Sequence, residues 1–276
     1  MIELTADHIE AFGRDGFTIV SGVLDPETIE AARAKFPLLF QGTFETGVQP
    51  DEWNWKEGRD SDRLTRQICN GWKADRTVAA IVLREDIGRA CAVLRGWPGA
   101  RINQDNVIWK PPGAKPLGFH QDDSYQDWIS PTEMMTCWIT LDDTTASGGT
   151  IEYVRGSHTW PIAPPIRQFH APDDPLYDLK TAAEGAGAEP EIIPIEIPAG
   201  SAVFHHGRTW HGSRDNKGQT PRRSLVAHCM SSDAEHHPTN VHTVYSRYKR
   251  QGSLELDESF FPILWREDGY RSAWLP

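Results

Sequence analysis

His120 and Asp122 are separated by a single residue, and His211 follows 89 residues after Asp122. In an extended segment, residues two apart point to the same side. A strand or strand end could therefore offer His120 and Asp122 to one ion, while a strand far away in sequence delivers His211. Two imidazoles and one carboxylate form the ligand set that holds a non-haem Fe(II) on one face of its octahedron and leaves the opposite face open. A redox metal needs those open positions, because a co-substrate and O2 must both reach it.

A His-x-Asp triplet is common by chance, and with 11 histidines a later one is no surprise. Context narrows the choice. Gly118-Phe119 precedes the first pair and an aromatic stretch, 125–128, follows it; His211 comes after a strand-like run and a glycine turn. Arg222 lies 11 residues beyond His211 and opens another strand, 223–230. The other histidines read more plainly. His205 and His206 are adjacent in a strand, so one must face the core and the pair reads as structural. His158 reads as a turn or supporting residue, and His236-His237, before Pro238, as loop. Tyr125, Trp128, Trp210 and Arg208 are candidates for pocket lining.

The elements that would position these residues follow in order. Thr5 caps a helix to about Arg14, with Leu4 and Ile9 as a hydrophobic staple. Asp25-Pro26 caps a second to about Lys35, with Leu24 and Ile29 as its staple. Residues 77–94 read as helices and 41–62 as an irregular candidate lid. Short β-branched or aromatic runs then cover 102–109, 133–141, 150–154, 191–197, 201–205 and 223–230, separated by Pro, Gly and Asp. Helices first and strands after predict a mainly β core with helical support. Residues 161–190 form an insertion long for a structureless loop, hence functional or mobile. The tail, 236–276, is rich in aromatics and predicted to pack. No internal repeat is evident.

Composition sets limits. A chain of 276 residues with 38% hydrophobic and 24% charged residues fits one ordinary globular domain. No stretch approaches the roughly 18 apolar residues of a membrane span, and no basic-then-apolar leader opens the chain. Cys69, Cys91, Cys137 and Cys229 lack metal or disulfide-framework spacing, which points to free thiols and a cytoplasmic setting. A net charge of −11 argues against nucleic acid as a partner. A small-molecule substrate is expected, with the oligomeric state open between monomer and homodimer.

Several motifs, in order, carry a family resemblance. The opening from Leu4 through Phe12, Asp15-Gly16-Phe17 and Val23-Leu24 is similar to an N-terminal signature. Lys110-Pro111-Pro112 with His120-Gln121-Asp122 resembles a first metal motif, and His211-Gly212-Ser213 with Arg222 a second. Residues 148–158 resemble a central Asn-Gly-x-Leu-x-x-x-Pro-Gly-Ser-His stretch, with Gly148 in place of Asn and Arg155 in place of Pro. From about Leu4 to Ser232 the chain resembles the phytanoyl-CoA dioxygenase family of Fe(II)/2-oxoglutarate oxygenases.

The resemblance implies a double-stranded β-helix, the jelly-roll or cupin-like core, at about 99–235. A helical N-terminal part, about 1–98, and the packed tail would complete one oxygenase domain over 1–276. It implies His120, Asp122 and His211 as iron ligands and Arg222 as the partner of the far carboxylate of 2-oxoglutarate, a planar fork that lysine cannot supply. Ser213 could donate a hydroxyl to the same carboxylate; Trp138 and Asn106 align with further co-substrate contacts. The expected reaction consumes O2 and 2-oxoglutarate, releases succinate and CO2, and oxidises a C–H bond, most simply by hydroxylation. Related halogenases lack the carboxylate that Asp122 provides. The substrate would be a small natural-product or catabolic intermediate. The alternatives are an acyl-CoA hydroxylase of the same family, a cupin-like hydrolase or isomerase using Zn or Mn in the same ligands, or a silent binding protein.

Overall fold

The computed structural model describes residues 1–275. Helix α1 (Ala6–Asp15) and strand β1 (Phe17–Val20) are followed by α2 (Pro26–Phe40), β2 (Glu52–Trp53), β3 (Arg66–Cys69), α3 (Arg76–Val82) and α4 (Glu85–Arg95). Strands then dominate: β4 (Gly99–Lys110), β5 (Leu117–His120), β6 (Ile129–Ser130), β7 (Met135–Thr140) and β8 (Ile151–Val154). Helix α5 (Tyr177–Ala186) precedes β9 (Ile192–Pro194), β10 (Ala202–His206), β11 (His211–Ser213), β12 (Arg222–Ser231), β13 (Glu235–His236) and β14 (Ile263–Arg266).

The N-terminal caps follow from the residues. The Thr5 side chain accepts from the His8 amide, and His8 Nδ1 returns the bond to the Thr5 amide, a reciprocal cap. The predicted Leu4–Ile9 staple is not what seals this end, for Ile9 is 47% exposed. Asp25 caps α2 as expected, and Leu24 and Ile29 are both buried. This helix runs to Phe40, past the predicted end and through Pro37. Phe36, Leu39 and Phe40 bury their side chains, which outweighs one lost backbone bond. The region 1–98 also carries β1, β2 and β3, so it is not purely helical.

Two sheets carry the fold. The larger runs β1-β10-β7-β12-β4-β3-β2, with β14 also on β4; the smaller runs β5-β11-β8-β9, and all pairings are antiparallel. Alternation sorts each strand into two faces. On β7, Met135, Cys137 and Ile139 join a core with the buried residues of α2, α3 and α4. Trp138 and, on β12, Val226 turn the other way and pack with Ile151 and Tyr153 of the smaller sheet. The sheets thus face one another, a β-sandwich with helices on the outer face. All four cysteines are free and buried. Among the described residues no helix is long and apolar enough to cross a membrane.

Candidate metal centre

Strand β5 ends at His120 and pairs with β11, whose first residue, His211, lies directly opposite. Gln121 stays extended (φ −111°, ψ 133°) before a single helical turn begins, so Asp122 returns to the side of His120. The three side chains bring one donor atom each to within 4.8 Å of one another, and all three are buried. Asp122 Oδ1 lies 3.4 Å from His120 Nε2 and 3.6 Å from His211 Nε2.

The hydrogen bonds behind these atoms fix which lone pairs are free. His120 Nδ1 lies 3.0 Å from the Gly118 carbonyl and His211 Nδ1 2.9 Å from that of Thr209. A carbonyl only accepts, so each Nδ1 carries the proton and each Nε2 faces inward with its lone pair. Burial, together with the neighbouring His120, holds the His211 imidazole well below its ordinary pKa and therefore neutral.

Asp122 is oriented from the other side. Its Oδ2 accepts from Thr136 Oγ1 at 2.7 Å and from His205 Nε2 at 3.0 Å. Tyr153 donates to His205 Nδ1 at 2.9 Å. Thr136 spends its proton on Asp122, so at 2.8 Å it accepts from His228 Nδ1. His228 Nε2 accepts from Asn106 Nδ2 at 2.8 Å, and Asn106 Oδ1 from Gln67 Nε2 at 3.2 Å. Two chains of donors thus end on Oδ2 and leave Oδ1 for the centre. Burial alone would raise the Asp122 carboxyl; the ring of imidazoles around it and the bond from His205 outweigh that and hold it well below the usual range. Thr136→Val keeps the volume and breaks one chain. It should weaken Fe(II) binding by about 10- to 100-fold, as removal of such supporting partners does. Competition against a chelator measures this, and an unchanged affinity would remove Thr136 from the account.

A second charged feature lies at the same end. Arg222 of β12 stands directly across from Lys110 of β4. Both are buried, and like charges so opposed repel. Lys110 Nζ donates to Ser213 Oγ at 2.8 Å; Arg222 donates to Ser224 Oγ at 3.1 Å and to the Gly149 carbonyl at 3.2 Å. These partners are neutral, and Arg222 Nε has none. Burial drives Arg222 down to about 10 and Lys110 well below its ordinary value. Two buried cations and one orphaned donor fit a carboxylate. Gly149 holds φ at +66°, and a Cβ there would meet the Arg214 carbonyl at 2.8 Å. Gly149→Ala should cost about 1–2 kcal/mol from the left-handed backbone alone, read as a lower denaturation midpoint; no loss would show that the loop relaxes freely.

One cavity of about 410 Å³ gathers His120, Asp122, His211, Arg222, Ser213, Trp138 and Asn106. Arg222 lies 5.7 Å from the Trp138 ring. Asn106 is held between Gln67 and His228. Of the other candidates, Tyr125 lines the cavity, but Trp128 packs against Tyr245 and Phe261 and Trp210 joins Phe119 and Val154 in a separate cluster. Arg208 is exposed, 3.7 Å from Asp123. His205, read as structural, instead contacts Asp122. His228, Thr136 and Lys110 were missed. Alternation along β12 from Arg222 reaches His228 on the same face, so that signal was available. The insertion contributes Phe169, whose ring stands edge-on to His120 at 4.9 Å. The irregular segment contributes Glu52 and Asn54, and the tail His242 and Tyr245.

The profile of the phytanoyl-CoA dioxygenase (PhyH) family matches residues 12–224. The chain is 24% identical over 194 residues to a probable alpha-ketoglutarate-dependent hypophosphite dioxygenase of Stutzerimonas stutzeri, covering 65% of this chain and 62% of that one. The chain thus spans about three-fifths of that relative's length. It is 25% identical over 240 residues to an ectoine dioxygenase of Nocardia farcinica (strain IFM 10152), covering 81% and 76%. Its fold is similar to that of the non-haem alpha-ketoglutarate-dependent carbocyclase SnoK from nogalamycin biosynthesis, with a TM-score of 0.71, 22% identity and coverage of 95% and 96%.

Proposed function

The chain belongs to the phytanoyl-CoA dioxygenase family, and from that premise we propose that it is a non-haem Fe(II)- and 2-oxoglutarate-dependent dioxygenase that oxidises, most simply hydroxylates, a C–H bond of a small natural-product or catabolic intermediate. The observation that carries this reading is a coincidence within one cavity. Three buried donor atoms converge on a point, and two buried cations lack an anionic partner. A hydrolytic or isomerising metal site would use the first feature and leave the second without a role.

His120, Asp122 and His211 would hold Fe(II), and Asp122 would offset part of its charge. Arg222 would take the far carboxylate of 2-oxoglutarate in its planar fork, with Ser213 poised beside it by Lys110. The carboxylate would neutralise the Lys110–Arg222 repulsion, so these residues favour a dicarboxylate co-substrate. Iron bound there supplies O2 activation and the oxidising power, with 2-oxoglutarate converted to succinate and CO2. Phe169, Trp138 and the sheet walls exclude water and orient the reactants. We also read the facing sheets as a double-stranded β-helix. The chain is taken as a single oxygenase domain, because β1 near one end and β14 near the other both join the larger sheet.

With Fe(II) and O2, 2-oxoglutarate labelled at C1 should release labelled CO2, and a substrate should accelerate the release. Zn(II) in place of iron should stop it. Equal release with either metal would defeat the proposal.

A further inference from the structure

We infer that the substrate is a neutral, hydroxyl-rich small molecule, held in the outer part of the cavity by hydrogen bonds from Gln104 and Gln126. The inference rests on the oxygenase reading and adds the chemical class of the molecule oxidised.

The first support is charge. Apart from Asp122 and Arg222, assigned to metal and co-substrate, the cavity wall holds one full charge, that of Glu52, an exposed residue at the rim. The imidazoles of the outer wall supply no cation either. Burial drives His170 down to about 4 and lowers His242. A phosphate, a carboxylate or the phosphates of an acyl-CoA would enter facing Glu52 and find no partner, and a desolvated, unpaired charge is strongly disfavoured; a cation would meet only Glu52, an exposed carboxylate whose attraction solvent screens.

The second support is the orientation of the amides. Gln126 Oε1 accepts from Trp128 Nε1 at 3.0 Å and from Asn103 Nδ2 at 2.9 Å. An indole N–H only donates, so the amide cannot be flipped, and Nε2 is the end left for the cavity. Gln104 Oε1 accepts from the Tyr245 hydroxyl, whose own oxygen is met by Asn70 Nδ2, and this arrangement leaves Nε2. Gln67 Nε2 donates to Asn106 and leaves its oxygen. The wall therefore presents two anchored donors and one anchored acceptor, a set that meets neighbouring hydroxyls.

The third support is the material between them. The rings of Tyr125, Phe169 and Tyr245 line the cavity together with Ile108, Leu117 and Met134. Such a wall suits the C–H faces of a polyhydroxylated ring, while the amides suit its edges.

The test uses the protein loaded with Zn(II) and 2-oxoglutarate, so that no turnover occurs, and reads binding by saturation-transfer NMR. The probes are methyl glucoside and myo-inositol (neutral), glucosamine (cationic), and glucuronate, glucose 6-phosphate and acetyl-CoA (anionic). Binding is expected only among the neutral members. Gln126→Glu and Gln104→Glu keep the oxygen that Trp128 and Tyr245 require but lose the donor. Each should weaken binding about tenfold and leave affinity for 2-oxoglutarate unchanged. Binding of the anionic or cationic probes, no neutral binding at millimolar concentration, or neutral binding that both variants leave intact would overturn the inference. Loss of 2-oxoglutarate binding itself would overturn the oxygenase reading instead.

Discussion

Replacing His211 with alanine is expected to abolish Fe(II) retention and lower 2-oxoglutarate turnover by more than about 100-fold, the upper range for merely supporting partners. Of the three proposed ligands, His211 is the informative one to remove. Its Nδ1 bonds only the Thr209 carbonyl, so the variant leaves few groups unsatisfied. Removing Asp122 would instead strand Thr136 and His205, whose bonds end on Oδ2, and would mix folding with metal loss. Iron content after gel filtration and CO2 release are the readouts. Turnover within about tenfold of the parent would contradict the ligand role.

The second large effect concerns the cation pair. Arg222→Leu should raise the KM for 2-oxoglutarate by roughly 30- to 4,000-fold, the range set by about 2–5 kcal/mol for truncating one side of a buried charge pair. Lys110→Met should weaken the co-substrate less, because Lys110 acts through Ser213. It should also raise the melting temperature of the co-substrate-free protein, since it removes a buried cation that has no anion to face. The two substitutions act on one carboxylate, so their effects should combine non-additively by about 0.5–3 kcal/mol. An unchanged KM in Arg222→Leu, or a Lys110→Met protein that melts earlier, would show that the pair does not await a carboxylate.

Much of the centre was legible because it obeys short-range rules. The two-residue repeat of an extended segment predicts that His120 and Asp122 share a side, and β5 with Gln121 provides it. The same repeat on β12 carries Arg222 to His228. It also sends His205 inward and His206 outward, but alternation alone does not say that Asp122 waits on the inner side. That meeting depends on β10 lying beside β7 in the larger sheet while Asp122 follows β5 in the smaller. Lys110 opens the Lys-Pro-Pro motif, yet its burial follows only from its pairing across from Arg222. The outer wall was least legible. Asn54, Gln67, His170 and the pair His242 and Tyr245 come from four separate stretches of chain, and no local pattern marks a residue as facing a cavity built so far away in sequence. Lone aromatics misled for the same reason, as Trp128 and Trp210 fill separate packed clusters.

The central claim is that His120, Asp122 and His211 would hold Fe(II) beside a 2-oxoglutarate site whose far carboxylate Arg222 would bind. Visible absorbance under anaerobic conditions tests it most directly. A charge-transfer band should appear only when both Fe(II) and 2-oxoglutarate are present, vanish in His211→Ala and need far more co-substrate in Arg222→Leu. No band, with tight Zn(II) or Mn(II) binding at the same ligands, would contradict the account and favour a hydrolytic or isomerising metal centre.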